Sequence, residues 1–198
     1  MIYVEFIERD RWMPLEIFHR LGNQKSSWAE GAVDRMVLQL GRTLRLGPRP
    51  SYLCLWHIPD IGRLDAWESY FHSEAARQNL RSLAMHRAIN IDRAGLYDAL
   101  HEETVAETSI YVVEYCQPLA VADEEIRAAF VNRAASHHDL RLLFLLRRLG
   151  QLGPDPALMS IWGGPSYSAA ERLLRAASPN NARVVDVGIY RAFGDETL

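Results

Sequence analysis

Lysine is almost missing from this chain. Lys25 is the single lysine among 22 basic side chains, so any imine-forming mechanism would rest on that one residue. Cysteine is scarce as well: Cys54 and Cys116 show no metal-ligand spacing and make no disulfide framework. No apolar run approaches the roughly 20 residues that span a bilayer. The opening "MIYVEFIERD" reads as a strand rather than as a charged and apolar leader, so a soluble, reduced, cytoplasmic protein without membrane association is expected. A basic stripe interleaved with aromatics is absent at a net charge of −3, which argues against nucleic acid as a partner. Arg147-Arg148 beside "LLFLL" reads as the solvated end of a strand. There is no P-loop, no Gly-x-Gly-x-x-Gly after a strand, no Gly-x-Ser-x-Gly and no His-Glu-x-x-His. "SHHD" at 136–139 offers two histidines without a spaced third and fourth ligand, and histidine is favoured at a helix C-terminus on electrostatic grounds alone. No metal and no cofactor are expected.

What is present can build a core. Hydrophobic residues make up 48% of 198 positions and charged ones 24%, enough for two compact halves of about 100 residues each. The halves look alike. "GPRPSYLCLWHIP" begins at Gly47 and "GPDPALMSIWGGP" at Gly153, with Gly, Pro, Pro, Trp and Pro in the same places. "VEF" at 4–6 returns as "VEY" at 113–115, and "AGLYDAL" at 94–100 returns as "VGIYRAF" at 187–193.

Periodicity fills in the elements. "MIYVEFIE" alternates as a strand, and Pro14 opens a helix with Leu15, Phe18 and Leu21 on one side. "DRMVLQLGRTLRLG" and "SYLCLWHI" are strands, Leu64, Trp67 and Phe71 mark a helix over 63–87, and "INIDRAGLYDAL" is a fourth strand. From "SIYVVEYCQ" to "RVVDVGIYRAF" the order repeats, which predicts two β-α-β-β-α-β units over 1–102 and 108–198 with a polar joint at 101–108. Such a unit covers only one face of its sheet with helices. The bare face is buried most simply against the same face of the second copy.

In repeat order and strand pattern, over nearly its whole length, the chain resembles the dimeric α+β barrel superfamily in a fused form. The resemblance implies an α+β fold in which two ferredoxin-like β-α-β-β-α-β repeats pack sheet to sheet with helices outside. It also implies a ligand pocket between the sheet and the helices of a half. Cofactor-free monooxygenases, polyketide cyclases, muconolactone-type isomerases, stress-response proteins and haem enzymes related to chlorite dismutase share this fold, so it does not choose the chemistry.

Candidate site residues come from comparing the copies. Trp56/Trp162, Tyr97/Tyr190 and Glu5/Glu114 are paired; repeated aromatics read as barrel packing or as catalytic groups, and the repeated mid-strand glutamate as a structural ion pair with an arginine or as a working base. His57 has no such echo, because Gly163 takes its place. Alternation sets His57 on the face of Leu53 and Leu55, at a strand end where it is either an exposed rim residue or a general base. His57 or Glu5 would take a proton, with Tyr52, Tyr97, His19 or Arg11 stabilising the oxyanion. Arg11, Trp12, Trp28, Trp67, Tyr70, Phe71 and His86 would bind substrate, the helical aromatics reading equally as core. The first half holds most of the imidazole and aromatic groups and suits a flat aromatic substrate, with the second half as its structural echo. A cofactor-independent lyase or isomerase acting on a small aromatic compound is the leading expectation, in a possible homodimer. A cofactor-free monooxygenase, a haem enzyme with His137 or His138 as axial ligand, and a non-catalytic ligand-binding protein are the alternatives.

Overall fold

The strands alternate side-chain direction, and their composition shows that both faces are covered. β1 (Ile2–Arg9) turns Ile2, Val4 and Phe6 one way and Tyr3 and Glu5 the other. β6 (Arg141–Arg148) is a nearly unbroken apolar run, as expected of a strand buried on both sides. Between and after them come β2 (Arg35–Arg42), β3 (Tyr52–His57), α1 (Arg63–His72), β4 (Ile89–Glu102), β5 (Ile110–Pro118), α2 (Asp123–Ala135), β7 (Leu158–Gly164), α3 (Tyr167–Arg175) and β8 (Ala182–Ala192). The computed structural model describes residues 1–9, 14, 16–17, 19, 35–47, 50–74, 89–105 and 108–193, with the backbone only of 70–71 and 89–92. Residues 16, 17 and 19 are helical, in the stretch that Pro14 was expected to open. The helix expected over 63–87 runs as α1 to His72 and is broken by a bend at Ser73, with Glu74 helical again and the remainder outside the described residues.

All eight strands join one closed barrel in the order β1-β3-β2-β8-β5-β7-β6-β4. Each half supplies four strands in ferredoxin-like order, and the two inner faces meet in a shared core of Val4, Phe6, Leu55, Val113, Phe144 and Ile161, among others. The halves are therefore not merely stacked: their edges are hydrogen-bonded to each other at two seams, β2–β8 and β4–β6. In the second half, α2 lays Ile126 and Phe130 on the outer face of the sheet and α3 adds Ala169, Ala170 and Leu173. Ser166 caps α3 by accepting from the Ala169 N–H at 3.3 Å.

The repeated Gly-Pro-x-Pro turns close these seams. Gly47, at φ +104°, rests on the backbone of Gly188 in β8, where a Cβ would collide with Val187 O and Gly188 Cα. Gly153, at φ +146°, rests in the same way on Gly95 in β4, with its would-be Cβ 2.9 Å from Gly95 Cα. Each turn thus clasps the last strand of the other half. The hydrogen bonds repeat too: the Ile189 N–H donates to Leu46 O at 3.1 Å, and the Leu96 N–H to Leu152 O at 2.8 Å. Arg42 Nη1 donates to Gly47 O and Arg148 Nη1 to Gly153 O, both at 3.0 Å. "GLY" at 95–97 and "GIY" at 188–190 are the receiving ends of one contact made twice, the tyrosine ring lying over the glycine.

Candidate active site in the first half

The outer face of the second half's sheet shows the plain version of the site. Glu114 points away from the barrel core and is only 1% exposed. Arg133 Nη1 donates to both of its oxygens at 2.9 and 2.8 Å, and Ser160 Oγ and Trp162 Nε1 each donate to Oε2 at 2.9 Å. The guanidinium also lies 5.3 Å from the centre of the Trp162 ring. Phe130, Ala169, Ala170 and Leu173 close the layer around this pair. Here the ion-pair reading of the repeated glutamate holds. Arg133 falls on the face of Ile126 and Phe130 at helical spacing, a signal present in the sequence but not used.

The first half keeps the carboxylate and changes its surroundings. Glu5 is also 1% exposed, and it accepts from Trp56 Nε1 at 3.2 Å. Its neighbour on β3 is Cys54, the repeat counterpart of Ser160, and Tyr3 stands opposite Trp56. Trp67, reaching down from α1, meets the Tyr3 ring edge-on at 5.2 Å and the Trp56 ring at 5.5 Å. Leu173 fills the matching position in the second half. Burial, and after it the Glu5 charge, drives the Tyr3 hydroxyl far above its ordinary range, so it stays a neutral donor. A buried carboxylate among three aromatic rings and a protonated phenol can accept a proton and steady a developing oxyanion. Tyr3 joins the site through strand alternation, two residues before Glu5 on the same face of β1.

The remaining candidates are dispersed. Tyr52 is on the outer face of β3 and meets Phe193 edge-on at 5.8 Å, while the His19 ring meets Phe193 from its own side at 4.8 Å. Tyr97 lies inside the barrel, across the sheet from Glu5; burial pushes its hydroxyl up to about 12, with Arg148 and Arg93 pulling the other way. His57 ends β3 with its side chain exposed, beside Ile2 and Arg35, at the barrel mouth opposite the Gly-Pro-x-Pro turns. Gly163 has its own reason to be glycine: a Cβ there would stand 2.8 Å from Leu143 Cδ1 and 3.0 Å from Thr108. Trp67 is buried in the site; Tyr70 and Phe71 belong to α1, their side chains outside the described atoms. Arg11, Trp12, Trp28 and His86 lie outside the described residues.

A haem between the sheet and helices of the second half does not fit the residues found there. Phe130, Trp162 and Leu173 are fully buried in that layer, and the Glu114–Arg133 pair runs through it. His137 follows α2 in a turn, and burial together with the Arg133 charge lowers its pKa. The expectation of an axial ligand at His137 or His138 fails on this packing. Among the described residues no group of three or more His, Cys, Asp or Glu could hold a metal ion, and no helix is long and apolar enough to cross a membrane.

Neither a family model nor a curated protein matches the chain. Solved structures do. A candidate chlorite dismutase superimposes with a TM-score of 0.62 at 10% identity, over 96% of this chain and 93% of that one. A variant of the chlorite dismutase of Candidatus Nitrospira defluvii in complex with cyanide gives 0.58 at 9%, over 97% and 91%. An anthrone oxidase-like protein gives 0.55 at 14%, over 96% and 90%. The fold is the dimeric α+β barrel. At such identities the likeness extends to the fold alone, so the chemistry of this barrel must be read from its own side chains.

Proposed function

We propose that the chain is a cofactor-independent acid–base enzyme acting on a small aromatic compound, with its site between the sheet and the helices of the first half. One observation carries the reading. Glu5 is a buried carboxylate that accepts from Trp56 Nε1 beside Tyr3, whose ring meets Trp67 edge-on, so a base, an aromatic wall and a phenol donor share one layer. Glu5 takes an acidic C–H or O–H proton from the ring-bound substrate, Trp56 Nε1 holds the carboxylate in place, and Tyr3 donates to the oxygen on which charge develops. An alkoxide from O–H loss collapses by C–C cleavage, and a carbanion or enolate from C–H loss by expelling a C–O leaving group or by taking the proton back at another carbon.

A cofactor-free monooxygenase is the second reading, with the same deprotonation followed by capture of dioxygen. The anthrone oxidase-like neighbour and a candidate monooxygenase of Lactobacillus acidophilus NCFM, with a TM-score of 0.55 at 8% identity, favour it by name. Deuterium wash-in followed by proton NMR over a panel of phenols, anthrones and aryl ketones tests the shared first step. Glu5→Gln is expected to slow exchange by about 10²- to 10⁴-fold. Equal exchange in Glu5→Gln overturns Glu5 as the base and points to His57, tested by His57→Ala. Oxygen uptake on the exchanging substrate selects the monooxygenase, and ligand binding without any exchange selects the non-catalytic alternative.

A further inference from the structure

The two repeats exchange a residue where their last strands end. Leu100 closes "AGLYDAL", and Phe193 closes "VGIYRAF" in the same place. Leu100, from the first half, packs against the outer layer of the second, with Ile126, Phe130 and Trp162. Phe193, from the second half, goes the other way. Its N–H donates to Gln39 O at 3.0 Å, one residue beyond the paired positions of the β2–β8 seam. Its ring stands edge-on to Tyr52 at 5.8 Å and to His19 at 4.8 Å. Leu158 is the counterpart of Tyr52, so the exchange is aliphatic in one layer and aromatic in the other.

The strand register ties Phe193 to Glu5. Glu5 lies opposite Cys54, Cys54 opposite Gln39, and the Gln39 carbonyl takes the Phe193 N–H. One row of the sheet therefore runs from the carboxylate on β1 to the phenylalanine at the end of β8, a backbone separation of about 14 Å at about 4.8 Å per step. Tyr52 lies one pleat along from Cys54 on the same face. Trp56 and Trp67 border Glu5 at close range, while Phe193 and Tyr52 stand towards the far end of its row. A span of that length holds one ring and a short substituent.

We propose that Phe193 is a specificity-determining residue of the Glu5 site: the second half supplies the end wall that limits how long a substituted ring the first half accepts. The inference rests on the reading of that layer as an aromatic-binding site. Isothermal titration of the full chain with acetophenone, para-ethylacetophenone and para-butylacetophenone is the test. Phe193 is partly exposed and its backbone bond to Gln39 survives truncation, so the variants keep the seam. Phe193→Ala is expected to shift the affinity ratio of the butyl ketone to acetophenone about tenfold in favour of the longer ligand, because a ring-sized space opens at the far end. Phe193→Leu, which carries the residue of the other repeat, should fall between. Leu100→Ala, on the second half's layer, should keep the parent's ratio. Glu5→Gln should keep it too, so a base that fails in the exchange experiment and a wall that fails here give separate results. The parent's ratio in Phe193→Ala, a shift as large in Leu100→Ala, or no binding of any of the three ketones to the parent would each overturn the inference.

Discussion

Glu5 and Glu114 are the same residue at the same place in the two repeats, Trp56 donating to the first and Trp162, Ser160 and Arg133 to the second. Arg133 and Glu114 are 8% and 2% exposed at their side chains, so the pair is desolvated and lives on its mutual contacts. Removing one partner strands a buried charge. Arg133→Met is therefore expected to cost about 3–5 kcal/mol in a urea titration, and Arg133→Met with Glu114→Gln clearly less, because no charge is then left behind. A double variant as unstable as the single one would show that the guanidinium matters through its bond to Leu173 O or its stacking on Trp162 instead. Reading this pair needed only helix periodicity on α2. Reading the Glu5 layer did not follow from local pattern, because Trp67 arrives from an element some sixty positions away.

The informative elements are the two turns rather than the strands. Proline and glycine in "GPRP" and "GPDP" announce a turn, and nothing local says that each glycine must also sit on a glycine of the opposite half. Gly47→Ala meets two obstacles, a positive φ and a collision with the β8 backbone, whereas Gly150, at φ +55°, has open space around its would-be Cβ. The expected thermal-denaturation outcome is a loss of about 2–4 kcal/mol for Gly47→Ala and of about 1 kcal/mol for Gly150→Ala. Similar losses at both positions would mean that the clasp contributes nothing beyond ordinary turn strain. His57 and Gly163 belong to this scale too. The contrast between them drew attention to His57, yet part of it comes from Thr108 and Leu143 occupying the space a side chain would need at Gly163.

At the scale of the molecule, two short seams close the barrel, β2–β8 over Leu40–Arg42 and β4–β6 over Tyr97–Glu102. Separating the halves at residues 106–107 would expose the inner faces of both sheets and the seam edges of β2, β4, β6 and β8. Either half expressed alone is expected to aggregate or self-associate, and the two expressed together to elute as one 1:1 complex in size-exclusion chromatography with light scattering. A folded, monomeric half would contradict the shared core.

The sequence by itself determined the repeated pattern and the strand order, because strand alternation, helix period and turn glycines are local and were written twice; closure into a barrel was implied only by the family resemblance. Alternation also set Trp56 and His57 on opposite faces of one strand, and the structure joins Trp56 to Glu5. Tertiary structure alone decided that Tyr97 and Glu5 lie on opposite sides of the sheet and that His57 is exposed at a mouth. Duplication copies residues but not their surroundings, and a site depends on which residues from distant elements meet in space.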